Sequence, residues 1–364
     1  MARGGTELEQ RGWDAIDATD WELARECFEQ ACEEDPSADA LDGLGRALHF
    51  LGEYDRAIEL TERAFAAYVE QGRVVEAADR ARWLAFLHGA VRANLAVGGG
   101  WMARAEAVLR EADEGPGHGW LALDRAPFTD DPAERARLAA AAMTLARRYG
   151  DVDLEYDAMA LLGESQVALG RVQEGMRLLD QAMTAVSAGE ITGIVALSDV
   201  YCRMLGACEL ALDVRRAEQW MAVVGDFEAW RDFVSPVCRN HYGGILLAVG
   251  RLAEAEEHLL SALRTFERSY RLMATAPLLK LADLRLRQGR LEEAQRLLEG
   301  QEPHPLARRT LAAVALARGD LGLAEDLARL CLDGSVASDP ACAPALDLLV
   351  AVRVAREDLA GAAE

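Results

Sequence analysis

Five times along this chain a glycine is followed, at fixed spacing, by an apolar residue, then by a small residue three places on, then by further apolar or small residues one and two turns later. Gly52-Glu-Tyr54-x-x-Ala57 leads to Thr61 and Ala64, and Gly250-Arg-Leu252-x-x-Ala255 leads to Leu259 and Ala262. Gly289-Arg-Leu291-x-x-Ala294 leads to Leu298, and Gly319-Asp-Leu321-x-x-Ala324 leads to Ala328. In Gly170-Arg-Val172 the alanine is replaced by Gly175, followed by Leu179 and Ala182. Weaker copies lie at Trp21, Ala24, Phe28 and Ala31; at Met102, Ala105, Leu109 and Ala112; at Val214, Ala217, Met221 and Val224; and around Ala136 and Ala140. The small-residue markers stand at 24, 57, 105, 136, 175, 217, 255, 294 and 324, at intervals of 30 to 48 residues. A unit copied at such a period buries its apolar face on the neighbouring copy, which points to a stacked array.

Each copy reads as helix, tight turn, helix. Ahead of Gly52, residues 39–51 place Leu41, Leu44, Leu48 and Leu51 three and four apart, the stripe of an amphipathic helix. The glycine ends that helix because it adopts the left-handed conformation a C-terminal cap requires. The small residue of the second helix lets the first approach closely, and the larger residue one turn on fills the remaining space.

The pattern Gly-x-Tyr-x-x-Ala, with Leu44-Gly45 seven residues ahead of Gly52, resembles the tetratricopeptide repeat. The resemblance implies an all-α fold, a right-handed α-solenoid of about eight to nine tetratricopeptide-like helix pairs. It runs continuously over 1–364, with a break at 113–132 left open. A narrower resemblance lies in the blocks at 101–109, 118–123, 170–183, 202–209, 238–259 and 281–298. These are similar to the repeat region of actinobacterial LuxR-type transcriptional regulators, which implies a helix-turn-helix domain after the repeats. No helix-turn-helix is visible in this sequence, and Glu357-Asp358-Leu359-x-x-Ala362 reads as the opening of another second helix. The expectation is a chain truncated before that domain, so that DNA is reached only through a domain not present here.

Composition excludes several functions. With 51% hydrophobic and 27% charged residues the chain is built to fold. Its formal charge of −22 repels phosphate backbones, and Lys280 is its only lysine. Apolar runs such as 138–143 fall far short of the roughly 18 to 20 residues that span a bilayer. The N-terminus has no apolar segment of a secretory signal, so the expected compartment is the cytoplasm, without a membrane partner. Seven cysteines form no Cys-x-x-Cys pair or zinc spacing and read as small buried hydrophobes.

Catalytic motifs are missing. There is no Gly-x-x-x-x-Gly-Lys, no His-Glu-x-x-His among the six histidines, and Ser165 has glycine on one side only. No catalytic residue, metal site or cofactor is therefore expected, and Glu256-Glu257 and Glu292-Glu293 read as solvated helix faces. In the stretch Cys238-Arg-Asn-His-Tyr-Gly-Gly, the register from Gly250 puts Gly243 at the small-residue position. Arg239 to Tyr242 then lie within a helix, with Tyr242 in the core, His241 at a seam between repeats and Asn240 on the inner, concave surface.

The same register places Asp42, Arg46, Asp157, Glu164, Glu209, Asn240, Asp283 and Arg287 on the inner face as candidate partner contacts. With Asp39 added, the acidic members suggest a groove for a basic or apolar partner. Trp83, Trp101, Trp120, Trp220 and Trp230 crowd the middle of the chain. The glycines at 98–100 before Trp101, and the breaker-rich segment 111–123 around Trp120, read as loops beside an aromatic pocket built on Trp101 and Trp120; core tryptophans under long inter-repeat loops are the alternative. The expected function is a non-catalytic ligand- or protein-binding repeat domain, by resemblance the sensory region of a LuxR-type regulator. The alternative is a stand-alone scaffold for a helical or basic peptide. Partners expected on this reading are a protein, a peptide or a small effector, and a homodimer is compatible with it.

Overall fold

A computed structural model of the chain describes residues 6–129, 131–225, 235–302, 304–333 and 342–363, and all of its regular structure there is helical. The chain divides into two compact units. The first holds the described residues of Met1–Arg125, Thr144–Asp151 and Ser269–Leu272; the second holds those of Ala126–Met143, Val152–Arg268 and Met273–Glu364.

The first unit opens with α1 (Glu7–Asp17), α2 (Trp21–Glu34), α3 (Ala38–Phe50), α4 (Tyr54–Glu70) and α5 (Val74–Phe86). A π-helical turn, Leu87–Val91, leads to α6 (Leu95–Leu109) and α7 (Pro116–Arg125). The last turn of α8 (Pro132–Tyr149) also belongs here. Local chemistry sets these boundaries. Thr6 caps α1 in a reciprocal box with Glu9, and the side chains of Asp20 and Ser37 accept from Leu23 and Ala40 N–H to start α2 and α3. At the other end, Gly52 takes φ +82°. The N–H groups of Gly52 and Glu53 then close back on the carbonyls of His49 and Leu48. Phe28 of α2 is fully buried between Gly12 of α1 and Gly43 of α3, where an added Cβ would meet its ring. Glycine there is a packing requirement.

The second unit contains α9 (Val152–Ala168), α10 (Val172–Ser187), α11 (Ile194–Ala211), α12 (Val214–Gly225), α13 (Ser235–Ala248) and α14 (Leu252–Arg268). It continues with α15 (Thr275–Arg287), α16 (Leu291–Leu298), α17 (Arg308–Arg318), α18 (Leu321–Leu332), α19 (Ala343–Ala355) and α20 (Leu359–Ala363). Consecutive helices pack as hairpins, and the first helices of successive pairs, α9, α11, α13, α15 and α17, pack side by side. This is a solenoid of helix pairs. The markers Ala217, Ala255 and Ala294 are completely buried. Gly175 faces Gly163 across α9 and α10, so close that a Cβ on Gly163 would stand 2.8 Å from the Gly175 carbonyl oxygen. Alanine does not fit at that crossing.

Three local expectations are corrected. Ala136 is half-buried, while Ala139 and Ala142 are fully buried, so the contact stripe of α8 runs three residues later than the motif placed it. The glycines at 98–100 lie inside α6, not in a loop, because Gly98 must approach the carbonyl of Ala85, 2.9 Å from where its Cβ would be. Much of the breaker-rich segment before Leu123 is helical as well, forming α7.

Candidate functional site

The first helices of the second unit carry polar residues at helical spacing on the side where they meet one another. They are Asp157 and Glu164 on α9; Asp199, Arg203 and Glu209 on α11; Asn240, His241 and Gly244 on α13; Lys280, Asp283 and Arg287 on α15; and Arg309 on α17. Ion pairs and hydrogen bonds join each helix to the next. Arg203 Nε donates to Asp157 Oδ1 at 3.1 Å, and the same guanidinium lies 3.6 Å from Glu164 and 3.9 Å from Asp199. Burial opposes the charge on Arg203, but the three carboxylates outweigh it and raise its pKa, so it stays cationic.

At the centre, Lys280 Nζ lies 2.7 Å from Glu209 Oε1, and His241 Nδ1 lies 2.8 Å from Glu209 Oε2. Burial pushes the Glu209 carboxyl up, yet Lys280 and His241 together hold it below its ordinary value. Lys280 also donates to the backbone carbonyl of Asn240 at 3.0 Å. Gly244 makes this arrangement possible: a Cβ there would collide with the Glu209 carboxylate and stand 2.9 Å from Lys280 Nζ. Farther along, Asp283 is shared by Arg287 at 3.4 Å and Arg309 at 3.8 Å, and Arg287 donates to the Leu247 carbonyl at 2.9 Å.

One group in this row lacks a partner. Asn240 is 6% exposed, and its side-chain Oδ1 is buried with no hydrogen bond. A buried carbonyl oxygen left without a donor costs about 1–3 kcal/mol. A bound N–H or O–H group would recover that cost.

The glycine pair of Cys238–Gly244 thus has two separate tasks. Gly243 faces α14, where its Cβ would lie 2.7 Å from Leu259 Cγ, and Gly244 faces the polar row. Tyr242 packs against the apolar cluster of α13 to α15 and meets His258 edge-on at 5.1 Å. His241 turns to the seam with α11.

Asp42 and Arg46, the two candidates of the first unit, lie in a tighter network. Arg80 donates to Asp42 at 2.6 Å and to Asp79 at 2.5 Å, Arg46 donates to Asp42 at 3.1 Å, and Arg82 donates to Asp79 at 2.7 Å and Asp124 at 2.5 Å. Asp42 and Arg80 are each 4% exposed. Burial would raise the Asp79 carboxyl, but Arg80, Arg82 and Arg46 outweigh it and hold it well below the usual range. Asp39 accepts from Tyr68 and Arg73. The expected acidic groove is corrected in one respect: Asp39, Asp42, Asp157, Glu209 and Asp283 each carry a basic partner from elsewhere in the chain, so these acids are already paired.

Trp101 and Trp120 are both tied into the first unit. Trp101 meets Phe65 edge-on at 5.2 Å, with Arg104 over its ring. Trp120 Nε1 donates to Asp151 at 2.9 Å, with Arg82 over its ring at 5.5 Å. Trp83 stacks on Phe86, and Trp230 lies outside the described residues. Trp220 borders an open recess of about 610 Å³ with Asp180, Asp213, Arg215, Arg216 and Gln219, where Arg216 is already paired with Asp180 and Asp213.

Arg80, Arg203 and Arg309 were not singled out by the sequence pattern, because arginine is common on every helix face here. Lys280 carried one usable signal, as the only lysine of the chain. Among the described residues no group of three or more His, Cys, Asp or Glu side chains could hold a metal ion, and no helix is long and apolar enough to cross a membrane. None of the seven cysteines is in a disulfide, and four of them are buried.

Comparisons with known proteins agree with this architecture. A tetratricopeptide-repeat family model matches residues 10–68. None of the curated proteins matches the chain in sequence. Among solved structures the chain is similar to a Rap protein complexed with competence and sporulation factor, at a TM-score of 0.63 and 14% identity, over 90% of this chain and 94% of that one. Yeast Tom70 aligns at a TM-score of 0.40 and 11% identity, over 98% of this chain and 89% of that one. The likeness to the Rap protein is one of fold.

Proposed function

We propose that the chain is a non-catalytic binding module that holds a protein or peptide segment along the first-helix row of its second unit. The observation carrying this reading is Asn240, whose Oδ1 is buried and unpartnered on α13, the helix between those that carry Glu209 and Lys280. A polypeptide supplies backbone N–H donors of the required kind. The Rap protein of similar fold is complexed with a factor, which supports looking for a bound partner here. The test is selection of displayed random peptides on the whole protein, followed by titration of the tightest one. Asn240→Leu, with melting temperature checked, should weaken binding about tenfold, the loss of one buried hydrogen bond. Selection of no peptide, or equal affinity for the variant, would contradict the reading.

The finer proposal is that this module is the sensory region of a LuxR-type regulator, supported by the sequence blocks that resemble that family. The alternative, a stand-alone scaffold, fits the fold equally well. The intact mass of the protein purified from its own cells separates them. A species heavier than 39.5 kDa that protects DNA in footprinting supports the regulator, and one of 39.5 kDa without DNA binding supports the scaffold.

A further inference from the structure

The charges along the first-helix row are unevenly distributed. At α9 and α11 one guanidinium, Arg203, serves three carboxylates, and Glu164 remains 30% exposed at its side chain. At α15 and α17 the ratio is inverted: two guanidiniums, Arg287 and Arg309, share the single carboxylate of Asp283. Their side chains are 44% and 34% exposed, whereas that of Asp283 is 12% exposed. Between these ends the Glu209 carboxylate is matched by Lys280, and Asn240 offers an unpartnered acceptor. The row is thus acidic at one end, neutral in sum in the middle, and basic at the other.

We propose that this row binds an extended peptide in one direction only, with a basic group toward Glu164 and Asp199 and an acidic group toward Arg287 and Arg309. This rests on the binding reading above and adds to it the partner's charge order. Length follows from geometry. Adjacent packed helices lie about 8–10 Å apart, so three steps from the α9–α11 seam to the α15–α17 seam span roughly 24–30 Å. An extended chain rises about 3.3 Å per residue, so the two charged groups stand about seven to nine residues apart. Asn240 then takes a backbone N–H near the midpoint, where side-chain identity matters least. Gly206 and Gly244 keep that floor low: a Cβ on Gly206 would stand 3.3 Å from Glu164 Oε1, and one on Gly244 would strike Glu209.

The experiment uses the full chain and a displayed library of random twelve-residue peptides. The enriched peptides should carry a basic and an acidic residue seven to nine positions apart, always in the same order. A synthetic copy of the tightest peptide with those two residues exchanged should bind at least about tenfold more weakly. Arg287→Gln with Arg309→Gln should weaken the parent peptide and leave a version with its acidic residue replaced by glutamine unchanged. Enriched peptides with no charge order, or an exchanged peptide that binds as well as its parent, would overturn the proposed polarity while leaving the binding reading intact. Enrichment of no peptide at all would overturn both.

Discussion

The first unit and the second unit both place acids and arginines where successive helices meet, but they use them differently. Around Asp42 the centre of the network is sealed: Asp42 and Arg80 are nearly inaccessible, contacts run from 2.5 to 3.5 Å, and Arg46 and Arg82 lie over the rings of Trp13 and Trp120. Around Arg203 and Asp283 contacts stretch to 3.9 Å, the Arg287 and Arg309 side chains are 44% and 34% exposed, and Asn240 keeps an unpartnered oxygen. A charge network closed on itself stabilises packing and has no capacity left for a ligand. One that is shared and partly wet can exchange a weak internal contact for a partner's group at small cost. Similar residue types on the same scaffold thus serve as cement in one unit and as a receptive surface in the other.

The contrast can be broken most sharply at Arg80. Arg80→Ala strands the buried Asp42 carboxylate with Arg46 alone and should cost about 3–4 kcal/mol in chemical denaturation of the first unit. A cost below about 1 kcal/mol would mean that the sealed network is no more structural than the open one. The next effect is acid sensitivity. Burial pushes His49, packed among Phe50, Trp83 and Tyr270, down to about 3 from 6.5. Its folded value lies below its unfolded one, so the stability it contributes is complete above about pH 6.5 and is lost as pH falls toward 3. The slope approaches about 1.4 kcal/mol per pH unit, and His49→Phe should flatten it in melts recorded between those limits.

A smaller effect is expected at Leu212. It ends α11 at φ +54°, where pairs such as α9–α10 and α13–α14 use glycine, so Leu212→Gly should stabilise the second unit by about 1 kcal/mol, read from the denaturation midpoint. The smallest is at the open row itself. Arg287→Gln should change stability by less than about 0.5 kcal/mol, as exposed pairs do, and a larger loss would make that row structural.

The helical class was legible because glycine caps and buried alanines recur along the chain, as Gly250 with Ala255 and Gly289 with Ala294 demonstrate. Local geometry was less legible where composition misleads. The glycines at 98–100 look like a loop, yet Gly98 is there to let α6 approach α5. The row of the second unit was half visible: register pointed to Asp157, Glu164, Glu209, Asn240, Asp283 and Arg287, but not to Arg203, Lys280 and Arg309, which pair with those acids. Those partners come from the next pair or, for Lys280, from the one after it, and with intervals of 30 to 48 residues the offset between pairs cannot be counted from the motif alone. That Asn240 would be buried without a partner is a property of three packed helices, and no local pattern encodes it.

The most direct test is backbone amide exchange of the whole protein with and without its tightest selected peptide. New protection is expected over residues 194–211, 235–248 and 275–287, the helices α11, α13 and α15, with none over 38–86 of the first unit. Protection confined to 38–86 would contradict it, placing the binding face on the unit described here as sealed.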